Sequence, residues 1–468
     1  MVTRDLTPFG VTVSRLPPTL DVEPRLAAWT ASARRRIDSP CAIEAFGRIE
    51  RASATLIVAR MPGARIGDLC ELIGSQRCGG AEPMLAEVVG IDGPHAKLAP
   101  LASTDGLAAN ALVHSLRKPH EVAVGAGLIG RVLDGFGRPL GEPCIESVSV
   151  CPCKRVPVLA DAPLATSRPL IAERVTTGVR AIDALLTLGR GQRVGLFAGP
   201  GCGKTTLLGA LARGIEADRV VFALVGERGR ELNEFVEREL DTALAARSVV
   251  VCASADRAPM ERVRAAFTAT AIADGFRAEG KHVLLLVDSL TRVARAQREI
   301  GLATGEPPGR QALPPSVYSM LPRLVERAGN TPSGSITAIY TVLVESEASD
   351  AIAEEARSLL DGHLVLSQEL AAKGHFPAID ILASLSRTMN AVVDDAQRRD
   401  AERLRALLAR YRELELLLAL GEYEPGHDEQ NDEAVTRHPR LIDFLRQNLG
   451  SPSSWNDTLE RLDAALRR

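Results

Sequence analysis

The segment Val194–Leu208, V-G-L-F-A-G-P-G-C-G-K-T-T-L-L, decides the fold. An apolar run, Gln192–Ala198, leads into a glycine-dense turn and then into a helix-forming stretch. The phosphate-loop pattern asks for Gly, four residues, then Gly-Lys-Ser/Thr. Here Ala198 takes the first position, and Gly203, Lys204 and Thr205 complete it. Gly199, Gly201 and Gly203 permit a compact loop whose N–H groups converge on an anion, and the following helix start adds partial positive charge. Candidate nucleotide-binding residues are therefore Gly199, Pro200, Gly201, Cys202, Gly203, Lys204, Thr205 and Thr206. Lys204 is expected at the β- and γ-phosphates and the Thr205 hydroxyl at Mg²⁺. The competing reading, an ordinary glycine turn, does not account for strand, loop and helix in register.

Outward from this segment, Val220–Val225, Ser248–Ala253, Val283–Val287 and Ile336–Val344 are further apolar, β-branched runs, several separated by helical stretches. That alternation predicts an α/β core with a largely parallel sheet covered on both faces. His282–Asp288, H-V-L-L-L-V-D, ends in a carboxylate at a strand's C-terminal edge, the place from which Asp288 would hold magnesium through water. The alternative for Asp288 is a cap on the next helix. A second strand ends in L-V-G-E-R-G-R-E, Leu224–Glu231, which places Glu227 at a strand tip as a candidate base for an attacking water. The alternative there is a solvated turn of Glu227, Arg228 and Arg230.

The flanks differ in texture. Residues 1–38 read as an extension, with an amphipathic helix over Glu23–Arg36. Residues 39–104 carry short strands such as Ala54–Ala59 and Leu85–Ile91 between Gly, Pro and Asp signals, which predicts a small β-barrel. Gly130–Pro143 reads as a connector, so that residues 105–387 form the α/β domain including it. From 388 to 468 the chain turns Leu/Ala/Arg/Glu-rich with helical spacing, as in Ala401–Leu420.

Composition narrows the function classes. Of 468 residues, 46% are hydrophobic and 25% charged, which excludes wholesale disorder, a fibre and a disulfide scaffold. The 56 basic and 59 acidic residues leave a net charge of −3, without the basic surplus of a nucleic-acid binder. Only six of the basic residues are lysines, a bias from which no function follows. The eight cysteines form no C-x-x-C pair, so zinc is not expected and the thiols read as small residues of a reducing compartment. The opening M-V-T-R-D-L-T-P-F-G holds no apolar h-region and no run reaches about 18 apolar residues, so the expected location is cytoplasmic.

Five further stretches carry a resemblance. Pro377–Ser386, P-A-I-D-I-L-A-S-L-S, is similar to the signature of rotary ATP synthase α/β subunits, and G-L-F-A-G-P-G-C-G-K-T, G-E-R-G-R-E and L-L-L-V-D-S-L-T-R precede it in the same order. G-E-P-P at Gly305–Pro308, P-P-S-V-Y-S-M-L-P-R-L-V-E-R-A-G at Pro314–Gly329, Tyr340–Glu345 and Leu360–Ser367 resemble the type III protein secretion ATPases of injectisomes and flagella. The resemblance spans roughly residues 41–450. It implies an N-terminal β-barrel, a RecA-like P-loop core and a C-terminal helical domain. It implies ATP hydrolysis with Mg²⁺, with Lys204 and Thr205 as loop ligands, Glu227 as catalytic carboxylate and Asp288 as the magnesium acid. It also places Arg228 at the γ-phosphate, Phe376 against adenine and Arg387 as an arginine finger.

As partners the resemblance implies a homohexamer, a stator-like regulatory protein, a central stalk protein, the export apparatus and chaperone–substrate complexes, and no nucleic acid. The setting it implies is the cytoplasmic face of the inner membrane, with room for peripheral membrane association. The segments around Ala383–Asn390 and after Phe444 favour an injectisome over a flagellum. One departure is visible: Ser346–Ala351, S-E-A-S-D-A, stands where the family carries an acidic loop ending in Pro. The rivals are a rotary synthase subunit, catalytic or regulatory, of which Glu227 argues against the purely regulatory kind, and a RecA-type RNA translocase, against which the weak positive balance and sparse aromatics of residues 41–104 argue.

Overall fold

The computed structural model describes residue 30 and residues 46–74, 84–141, 154–344 and 350–467. The expected helix over Glu23–Arg36 therefore lies, save for Thr30, outside the described residues, as does most of the Ser346–Ala351 loop. Residues Gly47–Arg468 form one compact unit, and Met1–Phe46 another, of which Thr30 and Phe46 are described.

Six strands, β1 (Phe46–Ala52), β2 (Ile57–Arg60), β3 (Leu69–Ile73), β4 (Met84–Asp92), β5 (His95–Pro100) and β6 (Leu112–Ser115), close into a barrel in the order β1-β2-β5-β4-β3-β6. Alternate residues point inward: Ile57 and Ala59, Cys70 and Leu72, Met84, Ala86 and Val88, Ala96 and Leu98. A small barrel of this kind is filled by aliphatic side chains, which is why it needs no aromatic core. The barrel does not end at residue 104 as the sequence suggests. Strand β6 pairs with β3 beyond that point, after a loop that contains Asp105 and Gly106. Closure needs this strand to cover the free edge of β3.

The core follows. Helix α1 (Arg180–Leu185) precedes β7 (Arg193–Ala198), α2 (Lys204–Gly214), β8 (Arg219–Val225), β9 (Ser248–Ala253), α3 (Pro259–Ala278), β10 (His282–Asp288), α4 (Leu290–Thr304), β11 (Ser335–Leu343) and β12 (Gly362–Leu366). The strands lie parallel in the order β12-β7-β11-β10-β8-β9. Alternation along β8 sends Val220, Phe222 and Leu224 into the core shared with α2 and the C-terminal helices, and Val221, Ala223 and Val225 into the core under α3. Both faces are dry, so these strands are continuous apolar runs.

The segment Gly130–Pro143 is more than a connector. Its Val132–Leu133 pairs in parallel with β9 and extends the sheet at one edge. At the other edge Leu385–Ser386 runs antiparallel to β12.

Three long helices complete the chain: α5 (Asp395–Leu420), α6 (Glu429–Leu445) and α7 (Trp455–Leu466). Asp394 caps α5 by accepting from the Gln397 N–H, and Gly421, at φ 73°, ends it in the left-handed conformation that glycine adopts without strain. Barrel and core are joined by a buried ion pair, Arg264 on α3 with Glu87 on β4, and by Lys97 Nζ donating to the Thr304 carbonyl at 2.7 Å.

Candidate functional site

The strand β7 ends at Ala198, and the chain turns through Gly199–Gly203 into α2. Gly201 and Gly203 hold φ of 78° and 79°, a region closed to most side chains. A Cβ at Gly199 would lie 2.7 Å from Gln368 Nε2. Ala198 is still in the strand ladder, opposite Leu343 and Leu366, so glycine is not required there. The first N–H groups of α2, from Lys204 to Thr206, have no partner one turn back and face the loop's concavity.

Three carboxyl-terminal strand ends meet at Lys204. Its Nζ lies 2.6 Å from Asp288 Oδ1, at the end of β10, and 3.3 Å from Glu227 Oε1, just after β8. Glu227 is only 9% exposed, so it is no solvated turn residue. Its second oxygen is held by Arg292 Nη1 at 2.7 Å, and the same guanidinium donates to the Gly226 carbonyl at 2.5 Å. Asp288 also accepts from Thr341 Oγ1 of β11 at 2.6 Å. The cap of α4 is Ser289, which accepts from the Arg292 N–H at 3.3 Å, so Asp288 is left for the site.

Two cavities flank α2's first turn. One, of about 230 Å³, is lined by Thr205, Glu227, Asp288, Glu231 and Arg238. The other, of about 280 Å³, is lined by Thr206, Gly203, Phe376, Pro377, Gln447 and Asn448. Successive threonines thus serve different chambers, a polar one with five carboxylates and a more apolar one with an aromatic face. Phe376 is 45% exposed, and its ring lies 3.7 Å from where a Gly203 Cβ would stand. Its carbonyl accepts from the Gln447 N–H at 2.9 Å, so the C-terminal domain braces the second chamber.

Among the expected residues, Lys204, Thr205, Glu227 and Asp288 converge, and Phe376 stands across the loop from them. Arg228 does not join them: its side chain is 79% exposed and its carboxylate neighbour is Glu231 at 3.7 Å. Arg230 is also turned outward. Arg387 is exposed beside the N-terminal end of β12, its N–H donating to the Asp361 carbonyl at 3.0 Å. No carboxylate pairs with it among the described residues: Asp395 holds Arg398, and Asp394 caps α5. Six residues of β7 separate that end of the sheet from the phosphate loop, about 17 Å of strand.

Three contributors escaped the sequence reading. Thr341 is one of four hydroxyl residues in β11, Arg292 lies one helical turn past Asp288 as one of three arginines in α4, and Gln447 comes from another domain, so none of the three breaks its local pattern. The described thiols, Cys70, Cys202 and Cys252, are free, with burial raising Cys252 to about 11. Thr205 and Asp288 line one cavity, and their hard oxygen donors suit a magnesium ion that would take its remaining ligands from phosphate oxygens and water. No helix among the described residues is long and apolar enough to cross a membrane.

The ATP synthase alpha/beta family, nucleotide-binding domain, matches residues 178–386, and the T3SS EscN ATPase C-terminal domain matches residues 393–464. A type 3 secretion system ATPase of Pseudomonas syringae pv. syringae is 51% identical over 440 residues, 93% of this chain and 97% of that protein. A flagellum-specific ATP synthase of Bacillus subtilis is 42% identical over 419 residues, 89% of this chain and 94% of that protein. The assembled ATPase EscN of the enteropathogenic E. coli type III secretion system superposes with a TM-score of 0.84 at 44% identity, covering 90% of this chain and all of that one. EscN in complex with its central stalk EscO gives a TM-score of 0.81 at 43% identity, with the same coverage. With a phosphate loop, its paired acids and half-identity over nine-tenths of its length, this chain belongs to the type 3 secretion system ATPases, ATP-hydrolysing members of the ATP synthase α/β family.

Proposed function

We propose that this chain hydrolyses ATP as one subunit of a homohexameric ring and couples that hydrolysis to chaperone release and export of proteins through an injectisome. The observation that carries the chemistry is Glu227, a buried carboxylate beside Lys204 and held from behind by Arg292. Lys204 grips the β- and γ-phosphates, the α2 N-terminus adds its N–H groups, and Phe376 offers a flat apolar face to the base. Glu227 orients a water and takes its proton as the water oxygen bonds to the γ-phosphorus. The bond to the bridging oxygen breaks, and its electron pair leaves on ADP. Magnesium, held through Thr205 and Asp288, supplies charge neutralisation at the phosphates.

Arg387 completes the site of a neighbouring subunit. Its own phosphate loop lies at the other end of β7, while the residue itself is exposed and free of any carboxylate partner among the described residues. A guanidinium is always charged and grips phosphate oxygens with a planar fork. Arg228 reaches the γ-phosphate only if its side chain turns inward from Glu231. The stalk partner is supported by the EscN–EscO complex, and the injectisome by the higher identity to the Pseudomonas protein than to the Bacillus one. A stator-like protein, the export apparatus and a station at the cytoplasmic face of the inner membrane complete this reading.

The test is steady-state hydrolysis by the full chain, with and without added RNA, beside Glu227→Gln. Hydrolysis that is unaffected by RNA and lost in the variant is expected. Stimulation by RNA would favour a nucleic-acid translocase instead.

A further inference from the structure

We infer that Gln192 is a positioning residue for the Arg387 finger. The inference rests on the reading that Arg387 acts on a neighbour's nucleotide. Gln192 is fully buried and stands directly before β7. Its amide makes all four hydrogen bonds open to it. Oε1 accepts from the Gly189 N–H at 2.8 Å and from Thr388 Oγ1 at 2.6 Å. Nε2 donates to the Asp361 carbonyl and to Ser386 Oγ, each at 3.1 Å. The Gly189 N–H can only donate and the Asp361 carbonyl can only accept, so the amide has one orientation.

These partners bracket Arg387 from every backbone direction. Ser386 precedes it and Thr388 follows it, and the Asp361 carbonyl that Gln192 reaches also accepts the Arg387 N–H at 3.0 Å. Asp361 is itself gripped by the Arg193 fork, Nε to Oδ2 at 2.9 Å and Nη2 to Oδ1 at 3.1 Å. Ser386 Oγ donates to the Thr187 carbonyl at 2.8 Å. Gly362 makes the approach possible, because a Cβ there would meet the Leu385 carbonyl at 2.6 Å and Gln192 Nε2 at 3.2 Å. The result is an exposed arginine side chain on a backbone locked on both sides by one buried amide. A misplacement of about 1 Å in a group acting on a reacting centre costs about 100-fold in rate, so the lock bears on turnover and not on ATP binding by the same chain.

The experiment uses mixed rings of full-length chains carrying two different tags and purified through both. Lys204→Ala chains lack a working phosphate loop but keep a finger; Arg387→Ala chains keep the loop but lack the finger. Adding Gln192→Leu to the Lys204→Ala chain should reduce the activity of the mixed ring about tenfold or more. Adding it to the Arg387→Ala chain, whose finger is already gone, should leave that activity unchanged. Equal loss in both placements, or no loss in the first, overturns the inference. No activity in the parent mixture overturns the finger reading itself, a distinct result. Thr388→Val and Gln192→Glu, which remove one or two of the four hydrogen bonds, give the same asymmetry if Gln192→Leu does not fold. Homomeric Gln192→Glu rings should show a lowered kcat with KM for ATP close to that of the parent; a raised KM with kcat intact counts against positioning.

Discussion

Lys204 and Asp288 touch: the ammonium lies 2.6 Å from Oδ1, with Glu227 at 3.3 Å on its other side. Lys204 is thus shared by two buried acids, one of which also has Arg292, and the phosphates must compete for it. Lys204→Ala should abolish nucleotide-dependent activity, while Glu227→Gln should bind ATP and not turn it over. Isothermal titration for affinity and phosphate release for turnover check the split. Wild-type turnover by Glu227→Gln would remove the residue from the base role.

Phe376 presents carbon to whatever enters the chamber between Thr206 and Gln447. Such a face cannot read exocyclic groups. Phe376→Ala should weaken ATP and GTP to similar extents, by about 1–3 kcal/mol, the scale of base–aromatic stacking. Affinities that do not change would return the ring to a packing role.

Arg387→Ala should lower turnover by about 10³-fold or more, the scale of an arginine finger, with ATP affinity retained. In the parent protein, activity per chain should rise with concentration as rings form. Full activity in a strictly monomeric sample, established by ultracentrifugation, would refute action on a neighbour.

The segment that follows the barrel carries an acid-sensitive group. His120 Nε2 donates to the Phe136 carbonyl at 3.1 Å, while Nδ1 is buried without a partner among the described residues. Burial, reinforced by the Arg264 guanidinium, lowers its pKa to about 4 from the ordinary 6.5. The neutral form is the one that folds, so its contribution is whole above pH 6.5 and drains away as pH falls toward 4. At 1.36 kcal/mol per unit the loss is about 3 kcal/mol. Urea unfolding of the parent and of His120→Gln between pH 7 and pH 4 should show the parent losing more stability by that amount. Parallel curves would contradict it.

Five of the six parallel strands were readable almost to the residue, Val220–Val225 against Arg219–Val225, because burial on both faces leaves an unbroken apolar run, whereas the short β12 was not. Strands β6 and Val132–Leu133 were not, since four and two residues among glycines and polar neighbours carry no period. Glu227 and Asp288 were legible because each ends a strand beside the phosphate loop. Thr341 and Gln447 were not, because they arrive from a neighbouring strand and a distant domain. Adjacent charges also mislead: Glu227 and Arg228 are one residue apart, yet one is buried and the other lies in solvent.

The strand β7 carries a phosphate loop at one end and, through Gln192 and Asp361, the mount of Arg387 at the other. On the trans reading each subunit is a member of two reaction centres, and genetics inherits this arrangement. Alleles damaged at opposite ends of the strand should complement one another in a cell that makes both. An allele damaged at both ends should be the stronger poison, since each copy built into a ring silences the centre on either side of it.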